Sequence, residues 1–236
     1  MGARPLTLFG DVARWFADPA NWQGPHGIPV RVLEHIELSG LAVAVAVAIA
    51  MPVALYLGHV GRGGFIAINV ANIGRALPSL ALLAFGLIIA ISVGLGLGFW
   101  PTMFALVPLA IPPIVTNTFV AVRQVDRNAI DAARGMGMTT PGLITKVELP
   151  LAVPTIMSGV RTSTINVVAT ATIAPLAGVL TLGDFIISRN VYGDDGVLAG
   201  AIVIAVLAAL IEATLAGVQW LVTPRGIKLQ RASRSA

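Results

Sequence analysis

Residues 38–58 read LSGLAVAVAVAIAMPVALYLG, and from Leu41 to Met51 the chain offers only Leu, Ala, Val, Ile and Met before Pro52 interrupts. A helix needs roughly 20 predominantly apolar residues to cross a bilayer core of about 30 Å. This stretch meets that requirement without a charged side chain. It is too long for the apolar core of a signal peptide and has no cleavage-like exit, so it is expected to stay in the mature protein.

Outward from this block, the same pattern recurs at about Phe65–Val93, Phe104–Val122, Pro154–Leu176 and Val197–Val222, giving about five transmembrane helices. The second stretch is longer than one span requires and contains Pro78, which predicts one kinked or broken helix or two short ones. The third contains Pro108, Pro112 and Pro113, which only neighbouring helices or cavity water can accommodate at membrane depth. The fourth is the least apolar, with Arg161, Thr162, Ser163, Thr164, Asn166, Thr170 and Thr172 strung along it.

Composition agrees with this reading. Hydrophobic residues make up 56% and charged residues 11% of the chain, against about 25% charged in a soluble domain, so lipid is the expected main solvent. The net charge of +4 does not point to nucleic acid, because the basic residues sit at the ends of apolar blocks and not on one soluble face. Cysteine is absent, which excludes disulfides, thiolate metal sites and cysteine nucleophiles.

Positive residues resist translocation. The segments holding Arg62, then Arg123, Arg127, Arg134 and Lys146, and finally Arg225, Lys228, Arg231 and Arg234 are therefore expected inside the cell. Gly94–Pro101 carries no charge, and in Ala177–Gly196 the residues Asp184, Asp194 and Asp195 outnumber Arg189, so both are expected outside. The predicted organisation is an extracytoplasmic or interfacial amphipathic segment over 1–35, a transmembrane domain over 36–222 with a cytoplasmic loop at 123–153, and a basic cytoplasmic tail over 223–236. The N-terminus is then outside and the C-terminus cytoplasmic.

The loop is the most informative segment. Asp126–Arg134 lacks breakers and places Arg127 and Asp131 at helical spacing, predicting a short helix that Gly135 and Gly137 end. Thr140-Pro141 writes a second helix start, and Leu149-Pro150 its expected stop. Two short helices joined by a glycine turn make a compact knob that a partner could grip.

These residues resemble a known family. Asp131-Ala132-Ala133, three residues, Gly137, nine residues, then Val147-Glu148-Leu149-Pro150 is similar to the "EAA" signature of binding-protein-dependent ABC importer permeases, with aspartate in place of the usual glutamate. Ala133–Met138, Val147–Ala152 and Gly159-Val160-Arg161 resemble the osmoprotectant branch of that family, and the likeness runs from about Leu38 to Gly226. Asn72–Ala81 supports it, although an uncharged residue is expected in the family where Arg75 stands. Gly178–Gly183 departs from a family segment that tends to be richer in glycine.

The resemblance implies an all-α, polytopic membrane helical bundle with the type I ABC importer (MetI-like) permease fold, sited in the cytoplasmic membrane. It implies a permease subunit, not an enzyme, importing glycine betaine, choline, carnitine or a proline-like solute. The alternatives are an ABC permease for another small solute of amino acid type, or an ion-coupled secondary transporter. The implied partners are an ABC ATPase dimer that binds ATP and Mg, an extracytoplasmic substrate-binding protein, and a second permease chain, identical or homologous. No cofactor or metal is expected in this chain. Asp131, Ala132, Ala133, Gly137, Leu149 and Pro150 are the implied ATPase-coupling residues, small alanines allowing close approach and Gly137 a tight bend.

No G-x-x-x-x-G-K-[ST] phosphate loop occurs, so energy must come from another polypeptide. A secondary transporter would commonly show internal repeats and buried acidic coupling residues. The sequence has no clear repeat and offers only Glu212. His26, His35 and His59 lie before or at the end of the first span and do not form a metal-ligand or catalytic pair. Ionisable residues within spans are costly. Arg161 is expected to snorkel to the cytoplasmic interface, and Glu212 either pairs with an arginine or meets a subunit interface. Asn166, Thr170 and Thr172 either line the solute route or hydrogen-bond between helices.

Overall fold

The computed structural model describes residues 5–61, 63–65, 68–69, 76–224 and 226. Among them every regular element is helical. In chain order these are α1 (Pro5–Ala17), α2 (Ile28–Val60), α3 (Ser79–Ser92), α4 (Phe99–Arg123), α5 (Arg127–Gly135), α6 (Thr140–Leu143), α7 (Leu149–Thr170), α8 (Gly183–Ile187) and α9 (Arg189–Val222). A 3₁₀ turn, Pro19–Asn21, follows α1, and another, Ala171–Ala177, follows α7. Arg62, Arg75 with Asn72–Gly74, and the tail residues Arg225, Lys228, Arg231 and Arg234 lie outside the described residues.

Among the described residues four stretches are long and apolar enough to cross a membrane: α2, α4, the continuous Thr140–Ala177 and α9. The second expected span is described only at Ser79–Ser92, a shorter apolar helix that begins after Pro78 in an extended conformation. The helices run past the apolar blocks that announce them. α2 starts ten residues before Leu38, α4 already includes Phe99–Pro101, and α9 starts at Arg189 with an interruption at Gly193 (φ 70°, ψ −176°). In α2 the added length holds Arg31 and His35, polar residues that find partners inside the protein.

Contacts divide the chain into two compact units. The first comprises 1–42, 78–107 and 165–211. In it, Val12 and Trp15 of α1 are buried with Ile28, Leu182, Phe185, Ala199, Ile204 and Leu207. Trp15 meets Phe185 edge to face with ring centroids 5.6 Å apart. Val12, Trp15 and Phe16 of α1 are thus packed against protein. Gly183 sits directly on the backbone of Thr172, since a Cβ there would lie 1.9 Å from Thr172 O. The Thr181 hydroxyl fixes that approach by donating to Ala171 O at 3.0 Å and accepting from Gly183 N at 3.2 Å.

The second unit comprises 43–77, 108–164 and 212–236. Its core joins Ala121, Val122 and Val125 at the end of α4 to Ile130, Ala133, Leu143, Ala152 and Ile156. The three prolines of α4 lie inside a continuous helix. α7 packs closely against this proline-rich part: a Cβ on Gly159 would lie 2.7 Å from Pro113 O, and Ser163 Oγ donates to Ala110 O at 2.8 Å. Small residues and interhelical hydroxyl bonds of this kind let helix backbones approach in lipid.

Forcing a side chain into such a contact costs about 1–3 kcal/mol. Gly183→Ala is therefore expected to lower the thermal midpoint of the detergent-purified protein. Gly217→Ala, where a Cβ meets nothing within 4 Å, should not. Equal midpoints for the two variants would contradict the packing at Thr172.

Candidate functional site

The knob after α4 begins where Asp126 caps α5, its carboxylate accepting from Asn128 N at 2.9 Å. α5 closes on a glycine turn. Gly137 takes φ +80°, its N–H donates to Arg134 O at 2.9 Å, and Met138 N donates to Ala133 O at 3.2 Å. This paired closure is the Schellman pattern, which favours glycine at the left-handed position. Met138 then packs back on the cluster that holds Ala133.

The next helix differs from the sequence expectation in two ways. Its N-cap is Thr139, not Thr140, and no side-chain cap bond forms. Nor does it stop before Leu149-Pro150. Ile144–Glu148 forms a π turn in which Leu149 N reaches Ile144 O, and the chain continues directly into α7. A wider turn absorbs a proline's missing N–H and ring without breaking the rod. The ion pair expected between Arg127 and Asp131 is also absent among the described residues, both side chains being exposed. Exposed pairs at helical spacing contribute little.

The implied coupling residues separate by burial. Asp131, Ala132 and Gly137 are exposed and Met136 beside them is 78% exposed. Ala133 is buried in the core of the knob, and Leu149 and Pro150 are half-buried at the root of α7. The accessible surface is therefore Asp131-Ala132 with the turn at Met136-Gly137, while Ala133 and Leu149 hold that surface in place.

Residues 38–225 match the family model described as binding-protein-dependent transport system inner membrane component. The chain belongs to this family. It is a multi-pass inner membrane transport subunit. Among its relatives, the carnitine transport permease protein OpuCB of Listeria monocytogenes is 39% identical over 87% of this chain and 93% of its own length. The choline transport system permease protein OpuBB of Bacillus subtilis (strain 168) is 38% identical over 84% and 89%. The glycine betaine/carnitine/choline transport system permease protein OpuCB of the same strain is 37% identical over 83% and 88%. A chain of the inward-facing MetNI methionine ABC transporter superposes with TM-score 0.73 at 22% identity, covering 88% of this chain and 99% of that one. That likeness shows the MetI-like fold.

The polar residues of this permease form two sets, and the sequence reading missed the first. In the first unit Arg31 is 1% exposed; it donates to Glu34 at 2.7 Å, meets His26 Nδ1 at 2.6 Å and lies 3.7 Å from Asp184 Oδ2. Asp184 also accepts from Ser188 at 2.8 Å and from Tyr192 at 3.1 Å. His35, one turn after Arg31, meets Val168 O through Nε2 at 2.9 Å. The signal was spacing: Ile28, Arg31, His35, Leu38, Ala42, Ala46, Ala50 and Ala54 recur every three or four residues and all are buried, so the buried face of α2 extends back through its polar start. Glu34 and Glu37 also border a cavity of about 520 Å³ with Leu38, Leu41, Phe99 and Leu180.

In the second unit Arg161, expected to snorkel, is partly buried and has partners within the protein. It pairs with Glu212 and donates to Gln219, which in turn donates to Pro154 O at 2.7 Å. Glu212 thus meets an arginine, the first of its two expected roles. Of the residues proposed for the solute route, Asn166 is exposed and Thr170 half-buried, four positions apart on one face. Thr172 lies in the 3₁₀ turn beyond, its hydroxyl bonded back to Ala169 O at 2.7 Å.

Removing one partner of a buried charge set costs about 3–5 kcal/mol, whereas exposed pairs are worth under about 1 kcal/mol. Arg31→Met is expected to destabilise the purified protein markedly, and Arg189→Met, which breaks the exposed Arg189–Asp194 pair, to leave the melting curve nearly unchanged. Comparable midpoints would show that Glu34 and Asp184 do not depend on Arg31.

Proposed function

We propose that this permease moves a small osmoprotectant, of the glycine betaine, choline or carnitine type, into the cell by harnessing a separate ATPase. The names of its relatives, which transport carnitine, choline and glycine betaine, support the substrate class. The observation that carries the energetic part is the knob. Asp131, Ala132 and Gly137 are presented outward on a packed pair of helices that runs without a break into α7.

In this reading the ATPase dimer binds ATP and Mg, grips one knob from each of two permease chains, identical or homologous, and pulls them together. The movement opens the passage alternately to each side. An extracytoplasmic binding protein selects and delivers the solute, since cation–π recognition needs aromatic faces and α7, which carries Asn166 and Thr170, has none. Arg123, Arg127, Arg134 and Lys146 around the knob favour its retention in the cytoplasm, which sets the N-terminus outside. Asn166 and Thr170 would offer the solute a weak, wet surface on its way.

The test is uptake of labelled glycine betaine, choline and carnitine in cells lacking this chain, beside a strain lacking the ATPase. Uptake of the transported solute should fall to background in both. Proton-gradient-dependent uptake that survives loss of the ATPase would favour ion coupling instead. Gly137→Asp should leave the protein inserted but abolish uptake. A Cβ there meets nothing within 4 Å, but any side chain strains the left-handed turn at φ +80°, so the loss is assigned to the docking surface only where the variant's amount in the membrane and its thermal midpoint match those of the unaltered protein. Normal uptake by that variant would remove Gly137 from the coupling surface.

A further inference from the structure

His59, one residue before the end of α2, and Glu148, the last residue of the π turn, meet in the second unit. Nδ1 of His59 lies 2.9 Å from one carboxylate oxygen and 3.0 Å from the other. The two side chains are 9% and 3% exposed. A carboxylate this deeply buried requires a polar partner. Among the described residues the imidazole is that partner.

The pair joins two elements that have no short covalent route between them. The knob is continuous with α7 through Thr140–Ala177, so a pull on it enters α7 directly. α2 meets the same region through Met51 and Leu55, which pack on the cluster containing Leu143, Val147 and Leu149. Apolar contact is non-directional: it holds surfaces together without fixing their register along one another. The hydrogen-bonded pair supplies the direction. Beside it the end of α2 is pressed against α4, where a Cβ on Gly58 would meet Val122 Cβ at 2.8 Å, so α2 has no room to slip sideways from the bond.

The geometry points to His59 and Glu148 as a positioning pair that passes displacement of the knob to α2, so that α2 and α7 move in step. This rests on the coupling reading of the knob given above.

The test uses the permease reconstituted with its ATPase and binding protein in lipid vesicles, in the unaltered form and as His59→Phe, His59→Gln and the double variant His59→Phe with Glu148→Met. ATPase docking, ATP hydrolysis and solute uptake per ATP hydrolysed are measured together. Docking should stay within about twofold while uptake per ATP falls about tenfold in His59→Phe and in the double variant, a size typical of residues that couple distant sites. His59→Gln, whose amide donates to the carboxylate, should recover most of it. Because His59→Phe strands a buried carboxylate, the double variant, which places only apolar groups there, decides even if the single variant fails to fold. Restored uptake per ATP in the double variant overturns the proposal, because a purely structural pair would be replaceable by packing. Loss of docking along with uptake in the double variant also overturns it. Failure of the unaltered permease to dock its ATPase would instead overturn the coupling reading itself.

Discussion

Among the described residues, the buried Arg31 and Glu148 and the partly buried Arg161 are each met by a group on a distant part of the chain, and the helices are tied together at those places. Arg31 of α2 reaches Asp184 of α8, His59 of α2 reaches Glu148 of the π turn, and Arg161 of α7 reaches Glu212 and Gln219 of α9. In an apolar solvent, helix association gains little from hydrophobicity, because lipid tails are as apolar as leucine. Polar pairs then act as fixed pins between helices whose remaining contacts are smooth. Their worth lies less in net stability, since desolvation offsets most of the attraction, than in the penalty for any arrangement that separates the partners.

The backbone obeys the same constraint. Unsatisfied N–H and C=O groups are costly in hydrocarbon, and this chain carries prolines inside three of its long helices. α4 keeps Pro108, Pro112 and Pro113 within one helix lying against Gly159 and Ser163 of α7. Ahead of Pro150 the π turn lets the rod continue where a regular helix would end. Small residues at Gly159 and Gly183 let the helices touch at these places.

Much of this was legible in the residues. The apolar blocks located the long helices, and the Asp126–Gly137 punctuation located α5 and its glycine closure, because caps and left-handed glycines are local chemistry. The spacing from Asp131 to Pro150 carried the family. What escaped depended on tertiary context. The polar start of α2 read as loop because Asp184, the partner of Arg31, lies far away in sequence. Leu149-Pro150 read as a stop because a π turn has no sequence signal as plain as a proline's. The Arg127–Asp131 spacing permitted a pair that solvent exposure makes too weak to form, whereas His59 and Glu148 pair although nothing in their spacing suggests it.

The accessible part of the knob is small and its support is large. Asp131, Ala132 and Gly137 present little side-chain bulk, while Ile130, Ala133, Met138 and Leu143 beneath them belong to a core shared with the ends of α4 and α7. A handle transmits a pull only if it is stiffer than whatever it moves, and this one is closed by the Gly137 turn, packed from below and fused to α7. Between the knob and α7 lies the π turn at Ile144–Glu148. Glu148 is the residue of that turn that is tied to α2. Bending there without loss of the tie would rotate α7 and α2 together; bending with the tie broken would move α7 alone. In the proposed reading, a packed grip joined to a turn that is pinned to α2 would let a chain without a nucleotide-binding loop use work done by a separate ATPase.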